Sequence, residues 1–265
     1  MDELTRQICA TYAAHLALGH EIEERDGARF VRFVRTPMVW DANFIQPFEV
    51  ADFDQARRLL GLVEDWLEAF SHRRVFADPR TSEVFLALLA AEDYQASPTL
   101  QLVLEGELAG ERPAPREIRP IQAQSDWESL ATLKRVRDVE DCERTGREIW
   151  DASVTQQMVE VVRVKAPDVQ FFIAREDERD VAYFSSYPGK DGVGMVEDLF
   201  TLPEARGRGI ARALIHHCVE DARRRGAKAV LIGADPTDTP KNAYVAMGFR
   251  PACVTWSWLK TQGDA

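Results

Sequence analysis

Ile210, Ala213, Leu214, His217, Cys218 and Ala222 recur at three- and four-residue intervals, which predicts one apolar stripe down an amphipathic helix. "RRRG" closes that stripe: cations in a last turn suit the helix dipole, and Gly226 suits the left-handed position after it. Upstream the period changes. "QFFIARE", "DVAYFSSY" and "VGMVEDLFTL" are rich in aromatic and branched residues and are separated by the polar turns "DERD" and "PGKDG", so they predict an antiparallel meander. Helical patterns over residues 126–137 and 153–165 precede it. Downstream, "AVLIG" reads as a short buried strand, "TPKNAYVAM" as a short helix opened by Pro240, and "ACVTWSWL" as a last strand.

The first half echoes this order. "FADPRTSEVFLALLAAEDYQASPTLQLVLEG" overlays "GADPTDTPKNAYVAMGFRPACVTWSWLKT", pairing Ala77, Asp78 and Pro79 with Ala234, Asp235 and Pro236, and then Tyr94 with Phe249. A helix-like run over 52–70 precedes the first copy as 208–225 precedes the second. The expectation is an internal duplication, against two helix-strand units alike only in period. "GELAGERPAPREIRP", with Pro113, Pro115 and Pro120, is the linker candidate, because each proline restricts its own and its neighbour's backbone. The predicted domains are 1–112 and 117–262, with 113–120 as linker and entry to a first strand.

Composition narrows the functional classes. With 265 residues, 45% apolar and 29% charged, the chain can build two cores and a solvated surface. A net charge of −11 argues against a nucleic-acid surface, so any basic cluster is local. Cys9, Cys142, Cys218 and Cys253 form no C-x-x-C pair or metal-like spacing, so no metal and no disulfide framework is expected, and a reducing cytoplasm fits. "MDELTRQICATYAAHLALGHE" begins acidic and lacks a long apolar core, so neither a signal peptide nor a membrane span is expected.

One basic cluster stands out. "LPEARGRGIARALI" places Gly207, Gly209 and three arginines between a predicted strand and the striped helix. That arrangement can aim unpaired backbone N–H groups at an anion; the glycines permit positive φ, and Arg206, Arg208 and Arg212 can add charge-assisted contacts to a diphosphate. A Walker loop needs Lys followed by Ser or Thr, where this chain has Ile210 and Ala211. A dinucleotide fingerprint needs a small last residue, where it has Arg212, and its preceding strands read as antiparallel. An exposed turn with a solvated basic helix start is the competing reading.

With "AYVAMGF" further on, the chain resembles the GNAT superfamily of acyl-CoA-dependent N-acyltransferases. Arg206, Gly209 and Ala211 match the family's Q/R-x-x-G-x-G/A pyrophosphate motif, Tyr244, Gly248 and Phe249 match its late Y-x-x-x-G-F element, and "EIRPIQAQSDWESLATL" is similar to its first strand and helix. The resemblance implies an α+β (α/β three-layer) fold with a mixed, mainly antiparallel sheet flanked by helices, and acetyl-CoA as co-substrate in a V-shaped opening between the fourth and fifth strands. Main-chain groups of Phe200, Thr201 and Leu202 would bind the pantetheine arm and polarise the acetyl carbonyl, and amides from Gly207 through Arg208, Gly209, Ile210 and Ala211 to Arg212 would hold the diphosphate. No metal is implied.

The amine must attack as the free base, yet at a pKa near 10.4 only about one molecule in two thousand is neutral at pH 7. A general base is therefore expected at Glu197, with Asp198 or a water relay as alternatives, since strand alternation points one carboxylate into the cleft and a β-bulge would shift the phase. Tyr244 matches the family's general acid for the departing thiolate. Thr237 stands where the family often has Asn, which puts one side-chain contact to the cofactor in doubt.

Other residues have blander readings. His216 and His217 point apart, and Trp256 with Trp258 reads as core or interface. The run "RVRDVEDCERTGRE" reads as a solvated face, against Asp138, Glu140, Asp141 and Glu143 attracting a cationic acceptor. In the first half "EVAD", Glu49 to Asp52, replaces the glycine loop and Leu89 replaces Tyr244, so this half is expected to be a degenerate GNAT-like domain that binds no CoA. The predicted function is acetyl transfer to a small-molecule or peptide amine, without nucleic-acid or membrane partners; the alternative is a CoA-binding pseudoenzyme that senses or regulates.

Overall fold

The computed structural model describes residues 1–114 and 116–261. Pro115, inside the predicted linker, and residues 262–265, which include the end of the predicted second domain, lie outside the described residues. In chain order the elements are α1 (Glu3–Ala17), β1 (Glu21–Arg25), β2 (Ala28–Arg32), β3 (Phe44–Pro47), α2 (Phe53–Trp66), β4 (His72–Ala77), α3 (Glu83–Ala91), β5 (Gln95–Leu104) and β6 (Glu117–Pro120). There follow α4 (Gln124–Thr145), α5 (Ala152–Lys165), β7 (Gln170–Glu176), β8 (Arg179–Lys190), β9 (Val193–Thr201), α6 (Ile210–Arg224), β10 (Ala229–Ala234), α7 (Pro240–Ala246) and β11 (Arg250–Thr261). Among the described residues no helix is long and apolar enough to cross a membrane.

Two compact units form, and they are not two consecutive stretches of chain. The first takes residues 1–102, 233–241 and the last strand from Pro251; the second takes 103–232 and 242–250. The last strand groups with the first unit because β11 pairs antiparallel with β4, from Trp256↔Ala77 to Thr261↔His72. A sequence cut near residue 115 cannot see this pairing, which is non-local.

In the first unit the strand order is β1-β2-β3-β4-β11-β5, antiparallel from β1 to β3, with β3 and β4 parallel at Ile45↔Val75. Ala56, Leu59 and Val63 face inward from α2 at helical spacing and join Phe30, Ile45, Val75, Phe85, Leu89 and Tyr94 in one core. Burying a residue such as Leu59 contributes about 1.5–3 kcal/mol. Trp258 packs on this core, in keeping with the structural reading of that residue.

In the second unit the order is β10-β9-β8-β7-β6, with three antiparallel pairs and a parallel β9–β10 pair. Helices cover both faces: the Trp127 ring of α4 meets Phe171, while His217 of α6 meets the next residue, Phe172, and neighbouring strand residues point to opposite faces. The stripe of α6 is buried as its spacing predicts, and Gly226 closes the helix at φ 109°, with Ala227 N–H donating to Ala222 O at 3.0 Å. Helix α4 runs eight residues past the predicted end at Arg137. Its buried positions beyond Leu133 are Lys134, Asp138 and Cys142, so polar groups continue the inward stripe and hide it from a hydrophobic pattern.

The same succession occurs twice, β3-α2-β4-α3-β5 and β9-α6-β10-α7-β11, with the strands flanking the long helix parallel in each. Ala77-Asp78-Pro79 and Ala234-Asp235-Pro236 occupy equivalent places at the ends of β4 and β10.

Candidate active site

The site is built where β9 loses its partners. Its parallel register with β10 runs from Val193↔Ala229 to Val196↔Ile232 and ends there, leaving Glu197–Thr201 as an open edge on that side. On the other side Tyr183↔Phe200 is followed by Ser185↔Glu197, so β9 carries one residue more than β8 across this step. This is a β-bulge at Asp198 and Leu199, and Asp198 takes the left-handed region at φ 64°. Leu202 N–H donates to Val181 O at 2.8 Å, so the backbone of Phe200 and Leu202 turns toward β8 while that of Thr201 turns to the open edge.

The glycine loop follows directly. Gly207 and Gly209 have φ 76° and 79°, values L side chains resist. A Cβ on Gly207 would meet nothing within 4 Å, so the loop's outer surface is free to take a ligand. Gly209 is the N-cap of α6, and no side chain accepts from the first-turn amides of Ile210, Ala211 and Arg212, which have no intrahelical acceptor. A diphosphate fits this place.

The three arginines are already engaged. Arg206 forks onto Glu140 at 2.7 and 2.6 Å and donates Nε to Thr201 O at 3.0 Å. Arg208 donates to Glu176 Oε2 and Glu204 O, each at 3.0 Å, and Arg212 donates to Ala109 O and Glu111 O at 3.2 and 2.8 Å. The groups this loop presents to an anion are therefore its backbone N–H groups.

The adjacent carboxylates differ. Asp198 accepts from Lys134 Nζ at 2.5 Å and from Arg137 Nη1. Burial alone would raise its pKa, but these two cations outweigh it and hold the carboxyl below its ordinary value. Glu197 is pushed up to about 7, chiefly by burial, against the opposing pull of Lys165. Asp138 is buried and donated to by Thr155 Oγ1 at 2.5 Å, and Glu140 belongs to Arg206, so these two are not the solvated carboxylates the sequence suggested.

Tyr244 is buried on α7, its ring 6.3 Å from that of Phe249. Its carbonyl accepts from Met247 and Phe249 N–H at 3.0 and 3.1 Å, which curls the chain through Gly248 at φ 96° and explains the Tyr-x-x-x-Gly-Phe spacing. Thr237 turns back onto Asp235 Oδ1 through N–H at 2.7 Å and Oγ1 at 2.6 Å.

Sequence reading missed Lys134, Arg137, Glu176 and Arg116. Lys134 and Asp138 stood at inward positions of a helical pattern, which was the available signal; Glu176 and Arg116 offered none.

The counterpart of the glycine loop is closed by its own side chains. Asp52 caps α2 by accepting Gln55 N–H at 2.8 Å, and Gln55 Oε1 accepts Ala51 N–H at 2.8 Å. A carboxylate thus stands where an anion would bind.

A mixed sheet with a bulged, half-open strand running into a helix start without a side-chain cap defines an α+β domain of the acetyltransferase-like kind. Residues 128–249 match the model of the Acetyltransferase (GNAT) family, and the chain carries a GNAT acetyltransferase domain there. A streptothricin acetyltransferase from Streptomyces lavendulae is 34% identical over 85 residues, a stretch covering 31% of this chain and 45% of that relative. A GCN5-related N-acetyltransferase from Kribbella flavida matches in fold with a TM-score of 0.70 at 16% identity, over 98% of this chain and 96% of that one. A tandem GNAT protein from the clavulanic acid biosynthesis pathway matches with a TM-score of 0.58 at 13% identity, over 90% and 79% of the two chains. These two likenesses are of fold.

Proposed function

We propose that the chain is an N-acetyltransferase that moves the acetyl group of acetyl-CoA directly to an amine. The observation that carries this reading is the uncapped glycine loop at the end of a strand whose edge opens after Val196. The relative named as an acetyltransferase supports it. Amides from Gly207 to Arg212 hold the diphosphate, and the open edge of β9 at Phe200, Thr201 and Leu202, chiefly through Thr201, pairs with the pantetheine arm and polarises the carbonyl.

Glu197 takes a proton from the acceptor's ammonium, and the free amine then forms the C–N bond at the acetyl carbonyl as the C–S bond breaks. A carboxyl pushed up to about 7 is a matched base near neutral pH, whereas Asp198, committed to two cations, is a weaker acceptor. Tyr244 returns a proton to the departing thiolate. The acceptor is a small-molecule or peptide amine, and the place of action is the cytoplasm, whose reducing conditions suit four free cysteines, two of which, Cys9 and Cys253, lie within hydrogen-bonding reach of each other as thiols. The first unit binds no CoA, because Asp52 occupies the position its loop would need.

The test is thiol release from acetyl-CoA across a panel of amines, with Tyr244→Phe as control. Turnover lost in the variant supports the assignment. Tight CoA binding with no acceptor turned over would overturn the enzyme reading in favour of a sensing or regulatory CoA-binding module.

A further inference from the structure

The proline-rich stretch before β6 looks like a spacer in sequence, but it belongs to the second unit and its residues bond along the length of α6. Gly106 O accepts from Arg223, Ala109 N–H donates to Met247 O at 2.9 Å, and the Ala109 and Glu111 carbonyls accept from Arg212. The stretch ends on the glycine loop. Arg116 donates Nη2 to the Arg208 carbonyl and Nη1 to Glu176 Oε1 at 2.7 Å, and its side chain is only 24% exposed.

Glu176 therefore holds two guanidinia, that of Arg116 on one oxygen and that of Arg208 on the other at 3.0 Å. Arg208 is fixed through its main chain by Arg116 and through its side chain by Glu176, and it lies between the two positive-φ glycines. A loop with two glycines has more backbone freedom to lose than one without, and ordering it on binding subtracts from affinity. An anion site made of backbone amides is only as good as the fixed direction of those amides.

We propose that Arg116 is a positioning residue for the diphosphate loop: by clamping the Arg208 carbonyl and sharing Glu176, it pre-orders Gly207–Gly209 for CoA. This rests on the cofactor reading above. Cofactor affinity then depends on a residue outside the stretch 128–249 that matches the family model.

The test is calorimetric titration of CoA into the full chain. Arg116→Ala should weaken binding about tenfold, the size of one charge-assisted hydrogen bond, with Tm within about 2 °C of the unmodified protein. Arg116→Lys, keeping one donor, should recover part of the loss. Arg112, paired with Glu220 and 75% exposed, supplies the control, and Arg112→Ala should leave affinity unchanged. Without ligand, amide exchange over 207–212 should quicken in Arg116→Ala while α4 keeps its protection.

Equal affinity in Arg116→Ala and the unmodified protein, or equal loss in Arg112→Ala, would overturn the inference and leave the cofactor reading standing. Should Arg116→Ala fold poorly, Arg116→Lys decides: affinity and loop exchange both equal to the unmodified protein would overturn it. An unmodified protein that binds no CoA would overturn both readings.

Discussion

Glu197 and Asp198 are consecutive on β9, yet Asp198 is held by Lys134 and Arg137 while burial drives Glu197 toward its neutral form. The bulge separates them: an extra residue in β9 gives Asp198 a left-handed backbone and breaks the simple alternation of a strand. The bulge thereby gives two neighbouring carboxyls opposite shifts, Asp198 lowered by its cations and Glu197 raised by burial.

Glu197→Gln is expected to lower kcat about 10²–10⁴-fold while leaving CoA affinity intact. In the unmodified protein kcat/KM should rise with pH and level off above about 7, where Glu197 is ionised and can accept a proton. Stability moves the opposite way. A carboxyl raised from 4.5 to about 7 in the fold contributes stability in full below about 4.5 and loses it as pH rises toward 7, so Glu197→Gln should flatten the fall in Tm over that window. A pH–rate profile and a Tm series check both.

Asp198→Asn keeps the left-handed backbone accessible, because Asn tolerates it as Asp does, and removes only the charge. Lys134, whose side chain is 6% exposed, then lacks its partner, and the protein should lose about 3–5 kcal/mol in denaturant unfolding. The unmodified pair should fail in acid: with the carboxyl held below 3.8, its contribution stands above that value and is lost as pH falls through the lowered one.

Gly209→Ala should cost about 1–2 kcal/mol, since a Cβ at φ 79° is strained although its nearest neighbour, Arg116 Nη2, is 4.0 Å away. The domain should still fold, by circular dichroism. A bulkier residue here should abolish CoA binding, and unchanged affinity in titration would contradict the diphosphate reading of the loop.

Asp52→Ala removes an N-cap and should destabilise the protein by about 1 kcal/mol without altering CoA affinity. A change in affinity would contradict the assignment of the CoA site to the second unit.

What was legible in sequence was local. The α6 stripe, Gly226 after it and Pro240 at the start of α7 each depend on neighbours a few residues away, and each is found in place. Partners were not legible. Three arginines beside two glycines look available to phosphate until Glu140, Glu176 and the Ala109 and Glu111 carbonyls are seen to hold them. The C-terminal half of α4 was hidden because Lys134 and Asp138 are acceptable inside only beside Asp198 and Thr155, 64 and 17 residues distant in sequence. The bulge could be named as a possibility from Glu197 and Asp198, but its position follows from pairing with β8.

The placement of β11 constrains how this chain can be divided. Within the first unit it lies between β4 and β5, so severing the chain in the stretch before β6 would remove an interior strand and bare two sheet edges at once. A gene fragment ending there would encode a template for aggregation. Shuffling or trimming either half therefore carries a folding penalty, which ties the first hundred residues and the last strand together in inheritance.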